Sequence, residues 1–563
     1  MSANTQSRFW GLLNRSRRTS KELEDVSTNI SKLVATVRKA ARVKSREDIP
    51  AFRGVITQAQ GIMGNDLTSV AVLDFGNRAL ALLISDSQLG QRLHTELRSK
   101  LVKDQYRIEV ERVADVSFIA SINKAINKDS AEARSSDVHP IVNELINDAV
   151  YESATDIHLC CREGSGMALF RVHGNLYPHR NYDVETCEQI AGYMFSQMAD
   201  ESSRSVGTFS LLNKSMSCMI RTAVGPTKYK LRFKFIRVAD GWDIVIRLLP
   251  VETAGARRKT FEDQGYAPSH SKLLTYAVAR SIGFIALCGP TGAGKSSTLQ
   301  VAMEADPHRR FRKRYGVEDP VEYKIFQVSQ ISVQHDDHED EEDTSKALNG
   351  TLMDILRADP DEIMIGETRN RSTARVVTDF VLTGHKIYTT LHTSSAFGAI
   401  IRMSRLGIDR HILADRQFLS VVAYQQLLPV LCNNCKVPSR SVLSAEQLAV
   451  IEVRFKLSPD TIFCKSEEGC TECRKRGTVG LTVAAEIVRP DKQIRAYIAE
   501  GRDEQAELYW RRSRITAFDD PDMTGKTAFE HALFKVSQGM IDPQDLERNF
   551  EPLDSYELVE VGL

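Results

Sequence analysis

The segment Gly289-Pro-Thr-Gly-Ala-Gly-Lys-Ser296 constrains the fold more than any other part of this chain. It follows the apolar run Ile282–Cys288, and the pattern after it predicts a helix from Lys295 onward. Glycines allow a backbone loop to wrap around phosphate groups, and the N–H groups at the start of a helix favour anions. We therefore predict a phosphate-binding loop between a buried strand and a helix.

The polar side chains of this loop predict ATP with Mg²⁺ as its ligand. Lys295 would reach the β and γ phosphates, and the Ser296 hydroxyl would bind Mg²⁺. A glycine-rich structural turn is the alternative, but the strand before the loop and the helix after it favour nucleotide binding. The predicted nucleotide-binding residues are Gly289, Pro290, Thr291, Gly292, Ala293, Gly294, Lys295, Ser296 and Ser297.

Acidic residues follow two further apolar runs. Glu367 comes directly after Ile363-Met-Ile-Gly366, and Glu318 and Glu322 lie in Val317-Glu-Asp-Pro-Val-Glu322, where Pro320 ends the strand. Transfer of a phosphoryl group to water needs carboxylates that organise the metal and orient the water. An isolated glutamate is more often a solvated loop charge, but a position at the end of a strand near the phosphate loop favours a catalytic role.

Two histidines, His385 and His392, flank the apolar run Lys386–Leu391. Either imidazole could donate a hydrogen bond to the γ-phosphate. A single histidine is more often structural, so the sequence leaves both interpretations open.

The length and patterning of the chain predict several domains. At 563 residues it is too long for one ordinary core. Short apolar runs alternate with helical patterns after Arg280, which predicts an α/β domain with a parallel sheet covered on both faces. The predicted regions are 1–130, a small N-terminal domain; 131–255, an α+β subdomain; 265–430, the nucleotide-binding core; 431–490, a cysteine-bearing element; and 491–563, a helical region.

The N-terminal domain contains few clear signals. The stretch Arg8–Arg46 is rich in Lys and Arg, and could be a basic helical arm that touches a membrane or partner, or a solvated helix. Ser69–Leu73 and Arg78–Ile84 predict strands. The polar segments at 127–137 and 252–263 are the predicted linkers.

Composition argues against several classes of protein. Lys plus Arg and Asp plus Glu number 74 each, so no global field attracts nucleic acid. The chain has no apolar run long enough to span a bilayer and no apolar secretory signal at its start. We therefore expect a cytoplasmic protein with reduced cysteines.

Four cysteines form two C-x-x-C pairs: Cys432 with Cys435, and Cys470 with Cys473. Four thiolates in paired turns suit tetrahedral Zn²⁺ with every position filled, which is a structural rather than a catalytic site. Unligated or redox cysteines are the alternative, and Cys464 is a possible substitute ligand with a less suitable spacing.

Taken together, these motifs resemble the secretion ATPase family that powers type II secretion and type IV pilus assembly. The resemblance runs from about His139 to Pro490. The matching segments are 140–158 and 170–174 for the N-terminal ATPase subdomain, 317–323 for the Asp box, 356–367 for the Walker B region, and 383–385 with 390–393 for the His box.

This resemblance implies a RecA-like core preceded by an α+β, PAS-like subdomain. It also implies a hexameric ring, in which ATP is held between these two subdomains. Arg232 and Arg247 lie where the family carries arginines that complete the site. By the same likeness Glu322 activates water, Glu367 is the Walker B acid, and His385 and His392 sense the γ-phosphate.

The resemblance also implies a function. The tetracysteine is typical of the assembly branch, which favours a motor that drives pilin assembly through an inner-membrane platform protein, from the cytoplasmic face of that membrane. A type II secretion or conjugative pilus motor is the alternative within the family. A DNA translocase and a non-hydrolysing scaffold are less favoured, and we expect no specific nucleic-acid partner.

Overall fold

A computed structural model describes residues 34–560 apart from 41, 45–47, 51, 53, 58–59, 61, 63, 77, 252–257 and 334–340, and the backbone alone at 124–137 and 341–345. The chain divides into two compact units, Met1–Ile141 and Val142–Leu563. Most of the predicted basic arm and most of the acidic run at 336–343 lie outside the described residues.

The first unit contains a small mixed sheet. Its strands have the order β1-β2-β3-β4, and only the β3–β4 pair is parallel. The predicted strands at 69–73 and 78–84 are confirmed as β2 and β3, whose apolar side chains are buried. The elements are β1 (Gly54–Val55), β2 (Val70–Gly76), β3 (Ala79–Ile84), α1 (Arg92–Lys103), β4 (Arg107–Val113) and α2 (Val116–Tyr151).

The linker predicted at 127–137 lies inside helix α2. The segment contains neither glycine nor proline, so nothing in it interrupts the backbone hydrogen bonds of a helix. The division between the two units falls in the same helix, after Ile141.

The second unit begins with the predicted α+β subdomain. Its sheet has the strand order β7-β6-β5-β10-β9-β8, with antiparallel neighbours throughout. Side chains alternate between buried and more exposed along β10, as the period-two pattern predicts. The elements are β5 (Asp156–Arg162), β6 (Ser165–Val172), β7 (Asn175–Tyr182), α3 (Val184–Tyr193), β8 (Ser215–Val224), β9 (Thr227–Val238) and β10 (Gly241–Val251).

A larger sheet forms the core, in the strand order β13-β12-β14-β15-β11-β16-β19. All neighbours are parallel except β16 and β19, which confirms the predicted parallel sheet and adds one antiparallel strand. Its elements are α4 (Pro268–Ala279), β11 (Gly283–Cys288), α5 (Lys295–Ala305), β12 (Arg314–Glu318), β13 (Ser329–Ser332), α6 (Glu341–Leu356), β14 (Glu362–Ile365), α7 (Arg371–Leu382), β15 (Lys386–Leu391), α8 (Ala396–Arg405), α9 (Arg410–Leu413) and β16 (Leu419–Leu431).

Helices cover both faces of this sheet. One apolar cluster packs α7 and α8 against the strands on one face, and another packs α4 and α5 on the other. Every residue of β11, β14 and β15 is buried, which is why apolar residues dominate β11 and the end of β14. The buried polar residues of these strands are Glu362, Lys386, Thr389 and Thr390.

The rest of the chain adds the cysteine-bearing element and a helical region. The elements are β17 (Val437–Pro438), α10 (Ala445–Ala449), β18 (Phe463–Cys464), β19 (Thr478–Val488), α11 (Lys492–Ala499), α12 (Asp503–Arg511), α13 (Ala528–Ser537) and α14 (Pro543–Asn549). Within the described part of the chain, no helix has both the length and the apolar character needed to cross a membrane.

Candidate nucleotide site and tetracysteine centre

The carboxyl ends of four parallel core strands meet at one edge of the sheet, which we call the C-terminal edge. The phosphate loop follows β11, Glu318 ends β12, Glu367 lies two residues after β14, and His392 follows β15. Ligands of open α/β sheets bind at this edge. The fold therefore brings the predicted catalytic segments together.

Close packing fixes the backbone of the phosphate loop. Gly289 has φ 147°, and a Cβ atom there would lie 2.2 Å from the carbonyl oxygen of Gln425. Gly292 and Gly294 have φ 81° and 80°, in the left-handed region that favours glycine. Helix α5 begins at Lys295, as predicted, so its first N–H groups face the loop.

Two residues that sequence reasoning missed hold the loop from behind. The Gln425 side chain donates to the carbonyl oxygen of Ala293 at 2.6 Å and accepts from the Tyr266 hydroxyl at 2.6 Å. Burial raises the pKa of Tyr266, which keeps this hydroxyl protonated as a donor. Gln425 lies on β16, far from the loop in sequence, and no motif indicated it.

The Ser297 hydroxyl, at the start of helix α5, accepts a hydrogen bond from the Gln264 side chain at 3.0 Å.

Lys295 is largely buried at this edge. Its Nζ donates to the carbonyl oxygens of Gly289 and Pro290, each at 2.8 Å. Burial lowers the pKa of the ammonium, while the charges of Glu367 and Glu322 oppose that shift. Both carboxylates therefore act on the lysine that the sequence assigned to the phosphates.

The two acidic segments differ in their surroundings. Burial raises the pKa of Glu318, whose carboxylate accepts from the Gln330 amide at 2.9 Å. Glu367 instead pairs with Arg369, at 2.9 Å between Oε2 and Nε. Glu322 is half-buried in the loop after β12, and its charge acts on Arg247 in the α+β subdomain.

The structure separates the two histidines. His392 Nε2 lies 3.5 Å from Glu367 Oε2, and burial followed by the charge of Lys295 lowers its pKa. His385 lies at the other end of β15, about 20 Å away for a strand of this length. There His385 Nδ1 lies 3.1 Å from both the Phe380 carbonyl oxygen and the Thr383 hydroxyl. Within one subunit, one γ-phosphate cannot contact both histidines, because they lie at opposite ends of the same strand.

One arginine of the α+β subdomain, Arg247, lies near enough to this site for Glu322 to raise its pKa. Arg247 on β10 donates from Nε to Asp156 Oδ1 at 3.0 Å, and Asp156 is buried. Burial opposes the charged form of Arg247, but Asp156 and then Glu322 raise its pKa overall. Arg232 pairs with Arg247 in the register of β9 and β10, and is exposed. Asp156, which orients Arg247, was not predicted from the sequence.

The four cysteines converge in space. Their sulfur atoms all lie within 4.8 Å of one another, and three of the distances are 3.7 Å: Cys432 to Cys470, Cys435 to Cys473, and Cys470 to Cys473. Four sulfurs placed tetrahedrally at a Zn–S distance of 2.3 Å would be about 3.8 Å apart. The donor set therefore fits a tetrahedral zinc ion.

Hydrogen bonds favour a thiolate in this cluster. Although burial raises the pKa of the Cys473 thiol, backbone N–H donors from Cys470 and Gly477 bring it down to about 6. Cys464 is buried outside the cluster, and burial raises its pKa to about 12. Among the described residues, the two C-x-x-C pairs form the one group of side chains that could hold a metal ion.

Comparisons with known proteins agree with this geometry. Residues 131–539 match the family described as "Type II/IV secretion system protein". The chain is 31% identical to Type II secretion system protein E of Aeromonas hydrophila over 70% of this chain and 74% of that one. It is 32% identical to the protein of the same name from Pseudomonas aeruginosa over 65% of this chain and 68% of that one.

A solved structure, that of the Legionella pneumophila ATPase DotB, aligns with 72% of this chain and 94% of its own, at 18% identity and a TM-score of 0.49. The family match covers more than half of the chain and includes the phosphate loop, the acidic strand ends and the four cysteines. The chain therefore belongs to the Type II/IV secretion system protein family and is a P-loop ATPase of that family.

Proposed function

We propose that this protein is the motor of a type II secretion system, which hydrolyses ATP to drive an inner-membrane platform protein. The observation that carries the proposal is the similarity to relatives named Type II secretion system protein E, at 31% and 32% identity. The sequence alone had favoured pilin assembly. The names of these relatives favour the alternative, and pilus assembly becomes the second candidate because the tetracysteine is typical of that branch.

In the proposed reaction, the loop amides and Lys295 bind the triphosphate. The ammonium would exchange its two carbonyl partners for phosphate oxygens, and the Ser296 hydroxyl would hold Mg²⁺, which would supply charge neutralisation. Glu322 orients and deprotonates the attacking water. Glu367 would help to hold the metal and His392 would donate to the γ-phosphate, since both lie at the same edge as Lys295.

Arg247 completes the site from the α+β subdomain. The Arg247 guanidinium lies close enough to Glu322 for that carboxylate to raise its pKa. A phosphoryl group between the two side chains could therefore accept hydrogen bonds from Arg247. Arg232 lies beside it on β9 and serves the same purpose. Movement of this subdomain would then accompany turnover.

Zinc in the tetracysteine site would have a structural role. Four thiolate ligands leave no open position for substrate, and the observed sulfur separations suit this arrangement. Binding would tie the end of β16 to the start of β19.

We also propose that the protein acts as a homohexamer on the cytoplasmic face of the inner membrane. Family membership supports this assembly. Pilin would be an indirect partner only if the second candidate holds, and no specific nucleic-acid partner is proposed.

The variant Glu322→Gln tests the reaction. We expect it to bind ATP with an affinity close to that of the wild type but to hydrolyse ATP at least about a hundredfold more slowly, because the amide cannot take the proton from water. Nucleotide binding and phosphate release from the purified protein are the measurements. Wild-type turnover in this variant would contradict the assignment.

A deletion strain identifies the system that the motor serves. Type II secretion predicts loss of extracellular enzymes with surface pili retained, and complementation by the wild type but not by Glu322→Gln. Loss of pili with normal enzyme secretion would instead support the second candidate.

A further inference from the structure

Two arginines of the tetracysteine element contact the end of helix α2, at the entrance to the α+β subdomain. Arg476 Nη1 donates to the Glu152 carbonyl oxygen at 3.0 Å, and Nη2 forms an ion pair with the Glu152 carboxylate. Arg474 donates to the Tyr151 carbonyl oxygen, and its guanidinium lies 4.1 Å from the centre of the Tyr151 ring. These contacts join parts of the chain that are far apart in sequence.

The contact lies among others between the same two parts. The Arg476 guanidinium lies 5.5 Å from the Tyr177 ring centre, and His173 Nδ1 lies 2.9 Å from the Thr478 hydroxyl. The Arg476 side chain is only 11% exposed and that of Glu152 is 26% exposed. Removing one partner of an ion pair shielded in this way costs more than removing one partner of a solvated pair, because the remaining charge is left partly buried and unpaired. Arg474 and Arg476 also lie at the carboxyl end of helix α2, where the exposed carbonyl groups favour cations.

The cysteine turn determines where these arginines point. Lys475 N donates to the Cys470 carbonyl oxygen at 2.8 Å, and Arg476 N donates to that of Cys473 at 3.1 Å. Arg474 and Lys475 have φ of 52° and 59°, a conformation that only a constrained turn holds in such residues. The direction of both guanidinium groups therefore depends on the turn that carries two of the cysteines.

A short path connects this contact to the nucleotide site. Strand β5 begins at Asp156, four residues after Glu152. Asp156 is the buried carboxylate that accepts from Arg247 at 3.0 Å. Anything that holds the end of α2 therefore also holds the strand from which Arg247 is oriented.

We propose that Arg474 and Arg476 are positioning residues, which hold the α+β subdomain so that Arg247 faces the nucleotide, and that zinc in the tetracysteine site keeps them in place. In this proposal, zinc fixes the conformation of the cysteine turn, and the turn in turn fixes the position of Arg247 relative to the nucleotide. The proposal rests on the zinc site and the reaction proposed above, and its arginine contact can be tested without either.

A charge-reversal pair provides that test in the full-length protein. We expect Arg476→Glu, and separately Glu152→Arg, to lower kcat about tenfold with KM for ATP within about twofold, because the phosphate loop is untouched. The double variant with both changes should recover most of the lost kcat, since the ion pair is restored in reverse. Recovery of this kind distinguishes a specific contact from general destabilisation.

A matched control lies in the same element. Arg440 and Asp460 form an ion pair with side chains 53% and 72% exposed, and Arg440→Glu should leave kcat and KM within about twofold of the wild type. Hydrogen exchange gives a readout that is independent of activity. Amides at the end of α2 and in β5 should exchange faster in Arg476→Glu than in Arg440→Glu, and reversal of both charges should restore their protection.

Zinc removal tests whether the metal keeps Arg474 and Arg476 in place. Chelation should release one zinc ion per chain and speed exchange at the same amides of α2 and β5, with the same ATP affinity. Unchanged exchange after zinc release would overturn the role of the metal. Wild-type kcat in both single variants, or a double variant as slow as either, would overturn the positioning role. A wild-type protein that carries no zinc would refute only the metal site.

Discussion

The two edges of the core sheet carry similar charged residues but use them differently. At the N-terminal edge, Lys386 Nζ lies 2.8 Å from Glu362 Oε1 and 3.3 Å from Asp306 Oδ2, and all three side chains are fully buried. At the C-terminal edge, Lys295 hydrogen-bonds two backbone carbonyls, and the nearby carboxylates act on it through their charge alone. One lysine completes a closed ionic cluster, whereas the other has partners that a phosphate can replace.

The comparison shows that a charge near a strand end is not functional by itself. Arg312 completes the N-terminal cluster by pairing with both Asp306 and Glu362, and burial raises the pKa of Glu362 to about 7. A carboxylate with a strongly raised pKa therefore lies at the edge opposite the phosphate loop. What distinguishes the catalytic edge is its direction in a parallel sheet and the glycine-rich loop there.

The largest expected effect is the loss of ATP binding and hydrolysis when Lys295 is removed from the C-terminal edge. Lys295→Ala should abolish measurable ATP binding and lower hydrolysis on the order of a thousandfold, because nothing else replaces its charge on the phosphates. The free energy of unfolding should change little, since the lysine bonds only two loop carbonyls. Nucleotide binding and denaturant titration of the same preparation measure both quantities. A strongly destabilised variant would contradict the contrast between the edges.

Disrupting the charged cluster at the N-terminal edge should lower stability and leave ATP affinity unchanged. Lys386→Met should lower the free energy of unfolding by about 3 kcal/mol, because two buried carboxylates lose a shared cation. ATP affinity should stay close to that of the wild type at a temperature where the variant is folded. Lys313, an exposed lysine at the same edge, supplies the control: Lys313→Met should change stability by less than about 0.5 kcal/mol. A similar loss in both variants would show that the cluster has no special role.

The smallest effect, which sharpens the comparison, comes from the two histidines on β15. His392→Ala should slow hydrolysis about 10- to 100-fold, since it removes a donor beside Glu367. His385→Ala should keep turnover within about twofold and lose about 1 kcal/mol of stability, because its partners are Phe380 and Thr383. Steady-state rates and denaturant midpoints of both variants provide the measurements. Equal losses of turnover would require His385 to reach a nucleotide held by another subunit.

Local patterns predicted much of this architecture. The strand before the phosphate loop, the helix from Lys295 and the strands β14 and β15 are confirmed close to their expected bounds. Continuous apolar runs identify strands buried on both faces, and glycines at fixed spacing identify the loop. The polar composition of 127–137 gave no sign of the helix in which this segment lies.

The functional roles of particular residues depended on contacts between parts of the chain that are far apart in sequence. The sequence indicated two equivalent histidines, and only the direction of β15 separated them. Gln425 behind the phosphate loop and Asp156 beside Arg247 are single polar residues without a motif. Their partners lie far away in the chain, so no local pattern could reveal them.

The sequence by itself determined the phosphate loop, the strands around it and the two cysteine pairs, because each depends on spacing within a few residues. Tertiary structure alone decided which charges face the nucleotide, which are closed into the buried cluster of Lys386, and how Arg476 meets Glu152. The physical reason is that hydrogen bonds and ion pairs form between neighbours in space. Chain connectivity limits such neighbours, but only the packing of the sheets and helices selects them.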